Sequence, residues 1–158
     1  MKKQIRIYII SVLVSLGVGV LSALLTRGNM NIYEEVITPP LSPPAFLFPV
    51  VWTVLYVFMG ISAAMVLTTR TSSLVKRKNA LTVYGLSLFF NFFWSIIFFN
   101  LRAFLFSFVW LVVLLALIIL TIVKYFKINR TAAYLQIPYA VWVAFAGYLN
   151  LGIFILNS

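Results

Sequence analysis

The sequence predicts an all-α membrane protein, a bundle of five transmembrane helices with a proline-rich outer loop between helices 1 and 2. Of its 158 residues, 64% are hydrophobic and 9% are charged, whereas soluble domains carry about 25% charged residues. The charged residues lie in short clusters separated by uncharged intervals of 20 residues or more, which are 7–26, 36–69, 79–101, 103–123 and 131–158. A membrane-spanning helix needs about 20 apolar residues, so each interval can hold one span and a soluble monomer is excluded.

The first span is predicted at residues 5–26 and carries a small residue at every fourth position. These residues are Ser11, Ser15, Gly19 and Ala23. Small residues at this spacing let two helix backbones approach closely. We therefore expect this face to pack against another helix, either of the same bundle or of a second copy of the chain.

The second span, 45–69, follows a loop that contains Pro39, Pro40, Pro43 and Pro44. Proline fixes its own backbone torsion and cannot lie inside a regular helix, so this loop is expected to be extended and stiff. It is a candidate lid and equally a rigid entry to the second helix. Glu34 and Glu35 precede the prolines, and we expect both to be solvated.

The last three spans are predicted at 79–100, 103–124 and 131–156. The link between the third and fourth spans is short and is centred on Arg102, so these two helices are expected to be antiparallel neighbours. The five spans together occupy most of the chain. The sequence therefore predicts a single transmembrane domain over residues 1–158.

The net charge of +10 indicates an orientation in the membrane and no nucleic-acid partner. Ten of the twelve basic residues fall in the amino end, the second loop and the fourth loop, whereas two fall in the first and third loops. Basic residues concentrate in cytoplasmic loops. We therefore expect the amino terminus inside, and the first loop and the carboxyl terminus outside.

The composition excludes several kinds of active site. The chain has no Cys and no His, so it offers no thiolate nucleophile, no imidazole base and no His/Cys metal site. Its two acids, Glu34 and Glu35, are adjacent, so one chain cannot place two carboxylates across a cleft. We expect no hydrolytic or metal-dependent activity, no bound metal and no cofactor.

Three spans instead place two tryptophans and one asparagine at a similar depth in the membrane. At about 1.5 Å of rise per residue, Asn91 lies about 18 Å and Trp142 about 16 Å above the inner ends of their spans. Trp52 lies roughly 20 Å up in a hydrocarbon core of about 30 Å. This level is too deep for an interfacial aromatic belt, so we predict a pocket for a flat ligand, with rings that stack on it and Asn91 to orient it.

Three blocks of sequence resemble the TspO/MBR family, the tryptophan-rich sensory proteins that include the mitochondrial translocator protein, or peripheral benzodiazepine receptor. The blocks are residues 39–56 (PPLSPPAFLFPVVWTVLY), 91–99 (NFFWSIIFF) and 133–150 (AYLQIPYAVWVAFAGYLN). The resemblance implies five tightly packed transmembrane helices in the bilayer of a bacterial cell, forming a homodimer. It also implies a pocket in the outer half of the bundle, capped by the first loop.

The resemblance further implies a receptor or transporter that binds porphyrins or haem, and isoquinoline or benzodiazepine drugs. Matched position by position, the ligand-binding residues are Tyr33, Pro43, Trp52, Tyr56, Asn91, Ser95, Phe98, Trp142, Phe145 and Ala146. An alternative that the resemblance carries is an enzyme that degrades protoporphyrin in light, with Trp52 and Trp142 as its catalytic residues. A second alternative is a stress-linked sensory or assembly partner of other membrane proteins.

The chain departs from the family pattern at three positions. Leu41 replaces an aromatic residue often found in the proline-rich block, and Ser95 replaces bulkier side chains. At the carboxyl end, Leu151 stands where the family's sterol motif has Tyr, and no basic residue follows Arg130. Sterol recognition at that end is therefore not expected.

The predicted orientation can be tested with a reporter fused after Ser158. A reporter enzyme that is active only outside the cytoplasm should be active when it is fused at this position. The carboxyl end follows the fifth span and carries no basic residue, so we expect it outside. A cytoplasmic reporter at the same position is the control. Activity of the cytoplasmic reporter alone would contradict the assigned topology.

Overall fold

A computed structural model describes residues 1–70 and 73–158, and it consists of helices joined by short links. The helices are α1 (Lys2–Thr26), a short α2 (Ile32–Glu35), α3 (Leu47–Thr68), α4 (Leu74–Ser95), α5 (Phe104–Phe126) and α6 (Arg130–Asn157). A 3₁₀ turn, Arg27–Asn29, follows α1, and a π-helical turn, Ile96–Asn100, continues α4. Within these two described ranges, five helices are long and apolar enough to cross a membrane. The predicted five-helix fold is confirmed.

Helix α4 begins at Leu74, before the predicted residue 79, and the reason is its amino-terminal cap. The side chain of Ser73 accepts a hydrogen bond from the backbone N–H of Lys76 at 3.2 Å. The cap starts the helix inside the basic cluster, so Lys76, Arg77 and Lys78 lie in its first turns. Charged residues mark the edge of the apolar stretch and do not mark the end of the helix.

The small residues of α1 pack against α3 of the same chain. The Ser15 hydroxyl donates a hydrogen bond to the backbone carbonyl of Tyr56 at 2.8 Å. A Cβ on Gly60 would lie 2.6 Å from Ser15 Oγ and 2.8 Å from the Ser11 carbonyl oxygen, so the two backbones are in direct contact. We expected these residues to pack against a helix of the same bundle or of a second copy of the chain. In the structure they pack against a helix of the same bundle.

Buried polar groups connect α6 to α3 at the end of the bundle away from the first loop. The Gln136 side-chain amide donates to Ser62 Oγ at 3.2 Å, and the Ser62 hydroxyl donates to the Ala132 carbonyl at 2.7 Å. All three residues are buried. Polar groups inside a membrane protein need such internal partners, because no water is available to them.

The first loop is fastened to the ends of the helices around it. The Asn157 side chain pairs with both the N–H and the carbonyl of Ile37, at 2.9 Å each. The Tyr148 hydroxyl donates to the Pro40 carbonyl at 2.8 Å. Glu35 forms an ion pair with Arg102 at 2.7 Å, in which both side chains are about half exposed. The loop is therefore an ordered cap on one end of the bundle.

The alternating direction of the long helices sorts the charged residues by end. The loop end carries Arg27, Arg102 and both glutamates. The basic end carries Lys2, Lys3, Arg6, Arg70, Lys76, Arg77, Lys78, Lys124, Lys127 and Arg130. The apolar stretches between the two ends form an integral membrane protein.

The contact between α1 and α3 can be tested with glycine substitutions. Gly60→Ala should lower the thermal denaturation midpoint in detergent, since a methyl group would overlap the α1 backbone and overpacking costs about 1–3 kcal/mol. Gly85→Ala is the matched control, because a Cβ there has no described atom within 4 Å. Equal midpoints for the two variants would contradict the close contact.

Candidate functional site

A cavity of about 250 Å³ lies between α1, α3 and α4, directly beneath the first loop. Its lining comes from the small face of α1, the first loop, and the loop ends of α3 and α4. The lining residues are Gly19, Ser22, Ala23, Thr26, Met30, Tyr33, Ala45, Phe48, Pro49, Trp52, Tyr56, Asn91, Trp94, Ser95 and Phe99. Most of these side chains are apolar, so the cavity suits an apolar ligand.

The side wall of the cavity is aromatic. The ring of Trp52 lies 5.7 Å from that of Tyr56 and 6.5 Å from that of Trp94, measured between centroids. Trp94 is held in place because its indole N–H donates to Asn150 Oδ1 at 3.2 Å. Rings at these separations interact favourably with each other, and a flat ligand can extend the same stack.

The polar groups beside this wall are joined in one hydrogen-bonded chain. The Tyr56 hydroxyl donates to Asn91 Oδ1 at 2.7 Å, and Asn91 Nδ2 donates to the Tyr139 hydroxyl at 2.7 Å. Asn91 lines the cavity. Its side chain is 1% exposed and is held by two tyrosines on two other helices. We call these three side chains the Tyr–Asn–Tyr chain. Tyr56 and Asn91 give the cavity lining a fixed, uncharged polar edge, and Tyr139 holds Asn91 from behind.

The roof of the cavity is formed by Tyr33 of the first loop. Its ring stacks on Phe48 at 5.1 Å and lies 6.1 Å from Phe98 and 6.2 Å from Phe99. Both of these phenylalanines belong to the π-helical turn Ile96–Asn100. Phe99 lines the cavity, and Phe98 packs behind it against Trp94 at 5.4 Å.

The structure brings half of the predicted ligand-binding residues into the cavity lining, namely Tyr33, Trp52, Tyr56, Asn91 and Ser95. Phe98 supports the roof from behind. The remaining residues, Pro43, Trp142, Phe145 and Ala146, are not among the lining residues of this cavity.

Trp142 lies next to the cavity, on the far side of Phe48. The two rings meet edge to face, with their centroids 5.9 Å apart. Phe145 is farther along α6 and packs on Trp142 at 5.6 Å. The indole N–H of Trp142 is buried and has no hydrogen-bond partner in the described ranges 1–70 and 73–158.

Ten lining residues lie outside the predicted set, and they include Phe48, Trp94 and small residues of α1. Phe48 follows directly on the proline-rich block, and Trp94 lies one turn from Asn91 inside the second block. On α1, Gly19 and Ala23 line the cavity and were predicted as part of a packing surface. The four-residue spacing of small residues in α1 predicts close helix approach. It does not indicate which of these residues line a cavity.

The chemistry available at this site is limited to aromatic surface, hydroxyls and amides. In the part of the chain that the structure describes, no group of three His, Cys, Asp or Glu side chains could hold a metal ion. The one ion pair among the described residues, Glu35–Arg102, lies in the first loop and in the link after α4. The lining therefore offers shape, ring surfaces and neutral hydrogen-bonding groups.

The chain matches the TspO/MBR family model over residues 11–156. It is 34% identical over 162 residues to the tryptophan-rich protein TspO of Chlorobaculum tepidum, covering 99% of each chain. It is 35% identical to protein CrtK of Rhodobacter capsulatus, covering 79% of this chain and 78% of that one. It is 31% identical to the translocator protein of Bos taurus, covering 89% of this chain and 83% of that one. The family match thus includes nearly the whole bundle.

The Tyr–Asn–Tyr chain can be tested by Asn91→Ala. The free energy of unfolding should fall by about 1–3 kcal/mol, because two buried hydroxyls lose their partner where no water replaces it. Thermal denaturation in detergent measures the change. Ser95→Ala is the control, since that side chain lines the same cavity without a hydrogen bond to another described residue. An Asn91→Ala protein as stable as the control would contradict a structural role for the Tyr–Asn–Tyr chain.

Proposed function

The chain belongs to the TspO/MBR family, and we propose that it is a membrane receptor or transporter that binds porphyrins and similar flat apolar ligands in the cavity beneath the first loop. The observation that supports this proposal most is the aromatic wall of Trp52, Tyr56 and Trp94 in a membrane-embedded cavity. Each ring contact with a stacked ligand contributes about 0.5–1.5 kcal/mol beyond the burial of area.

The residues of the site favour a metal-free porphyrin over haem. Haem iron in proteins is held by His, Cys, Met or Tyr. This sequence has neither His nor Cys, so haem iron would depend on a Met or Tyr of the lining, such as Met30 or Tyr33. A metal-free porphyrin needs no axial ligand and still stacks on indole and phenol rings. Isoquinoline and benzodiazepine drugs share this flat, apolar character, so we propose them as ligands of the same cavity.

The geometry favours binding over the light-dependent breakdown of protoporphyrin. That alternative requires both Trp52 and Trp142 beside the ligand, whereas Trp52 lines the cavity and Trp142 lies behind Phe48. The names of two relatives, translocator protein and tryptophan-rich protein, describe transport and composition. Together with the family resemblance they support a carrier or receptor, which we propose to be a homodimer in the bilayer.

The proposal can be tested by titrating the purified protein in detergent with protoporphyrin IX and following the quenching of tryptophan fluorescence. Trp52→Leu should raise the Kd about tenfold, which corresponds to about 1.4 kcal/mol, because one face of the stack is lost. Trp110→Leu is the matched control, since Trp110 stacks on Phe90 at 4.3 Å and is not a lining residue.

Two outcomes would contradict the proposal. The first is quenching of the unmodified protein that does not saturate. The second is a Trp52→Leu protein that binds protoporphyrin IX as tightly as the Trp110→Leu protein.

A further inference from the structure

A groove of about 520 Å³ runs along the outside of the bundle between α3 and α6. Its walls include Val50, Val54 and Phe58 on α3, and Ile137, Val141 and Trp142 on α6. Val54 is 46% exposed and Val141 is 63% exposed. The groove lies in the apolar stretches of two membrane-spanning helices, so it opens toward the hydrocarbon of the bilayer.

Phe48 connects this groove to the cavity. It lines the cavity and stacks on the roof residue Tyr33. Its ring also meets the edge of Trp142, which is a wall residue of the groove. One phenylalanine therefore contacts both concave sites, at the level where α3 begins.

We propose that the α3–α6 groove is the entry site through which a flat apolar ligand passes from the bilayer, past Phe48, into the cavity. This inference rests on the proposed function and adds the route to it. Apolar ligands partition into the bilayer because transfer out of water is favourable. They therefore reach the protein from the side on which the groove opens.

The contacts of the first loop make the alternative route costly. Lifting the loop would break its contacts with Asn157 and Tyr148 and the Glu35–Arg102 ion pair. Rotation of the half-buried Phe48 breaks ring contacts only, because a phenyl ring makes no conventional hydrogen bond. The groove route therefore breaks fewer hydrogen bonds than lifting the loop does.

The size of the cavity and an unpaired donor support the same route. Ligand pockets usually have volumes of about 300–1,000 Å³, and the cavity of about 250 Å³ is smaller. Displacing Phe48 toward the groove adds room for a ligand. The buried indole N–H of Trp142, which has no partner in the part of the chain that is described, gives the passing ligand a hydrogen-bond donor beside Phe48.

The test is the rate at which protoporphyrin IX binds to and leaves the full-length protein in lipid nanodiscs. Val54→Trp fills the groove without touching the cavity lining. It should lower the association and dissociation rates together by about tenfold, a barrier increase of about 1.4 kcal/mol, and leave the Kd unchanged. Both rates fall because an obstructed path raises the barrier equally in each direction.

Val112→Trp on α5 is the matched control, since Val112 is 49% exposed and lines neither site. A third variant, Phe48→Ala, should raise both rates because it removes the ring between groove and cavity. Asn157→Ala, which releases Ile37 of the loop, should leave both rates near those of the unmodified protein.

The outcomes separate the route from the proposed function. If Val54→Trp and Val112→Trp show equal rates, the inference is wrong, and a faster Asn157→Ala protein then indicates entry beside the loop. If Val54→Trp changes the association and dissociation rates by different factors, so that the Kd changes, the groove is not simply a route and the inference is also wrong. If the unmodified protein binds no protoporphyrin IX, the proposed function itself fails, and the route fails with it.

Discussion

The buried Asn and Gln side chains of this bundle have their hydrogen-bond partners inside the protein, because the bilayer supplies no water. The Tyr–Asn–Tyr chain is the central case, since it joins α3, α4 and α6 through two hydrogen bonds of 2.7 Å. Its three members meet only if their helices are aligned both in depth and in rotation. This alignment places the ring of Trp52 against Tyr56 and Tyr139, and so sets the aromatic wall.

Tyr56 extends the same constraint to α1. Its hydroxyl is committed to Asn91, and its backbone carbonyl accepts from Ser15. A second buried amide, Asn150, holds Trp94 and the start of α5, where it accepts from Ser107 at 2.9 Å. Four of the five long helices thus meet through Tyr56 and Asn91, and Asn150 joins the fifth. The cavity is therefore part of the packing of the bundle.

The sequence predicts depth well and rotation poorly. Charge spacing and a fixed rise per residue locate the spans, and they place Trp52, Asn91 and Trp142 at one level. Whether a side chain at that level points into the cavity depends on how each helix is turned about its axis. Tyr139 meets Asn91, whereas Trp142, three residues on and about 60° around the helix, lies in the groove. Packing fixes that rotation, and single-helix periodicity does not contain it.

The cavity and the tight α1–α3 contact are two results of the same row of small residues. At Ser15 the backbones touch, because Gly60 faces it without a side chain. Gly19 also contacts α3, since a Cβ there would overlap the Tyr56 ring. Gly19 and Ala23 line the cavity beneath the loop together with the rings of Tyr56 and Trp52. Large rings against small residues form a slot with no charge in its lining. Such a slot fits a flat apolar group by its shape, and it disfavours a charged group because no lining side chain carries a charge to pair with it.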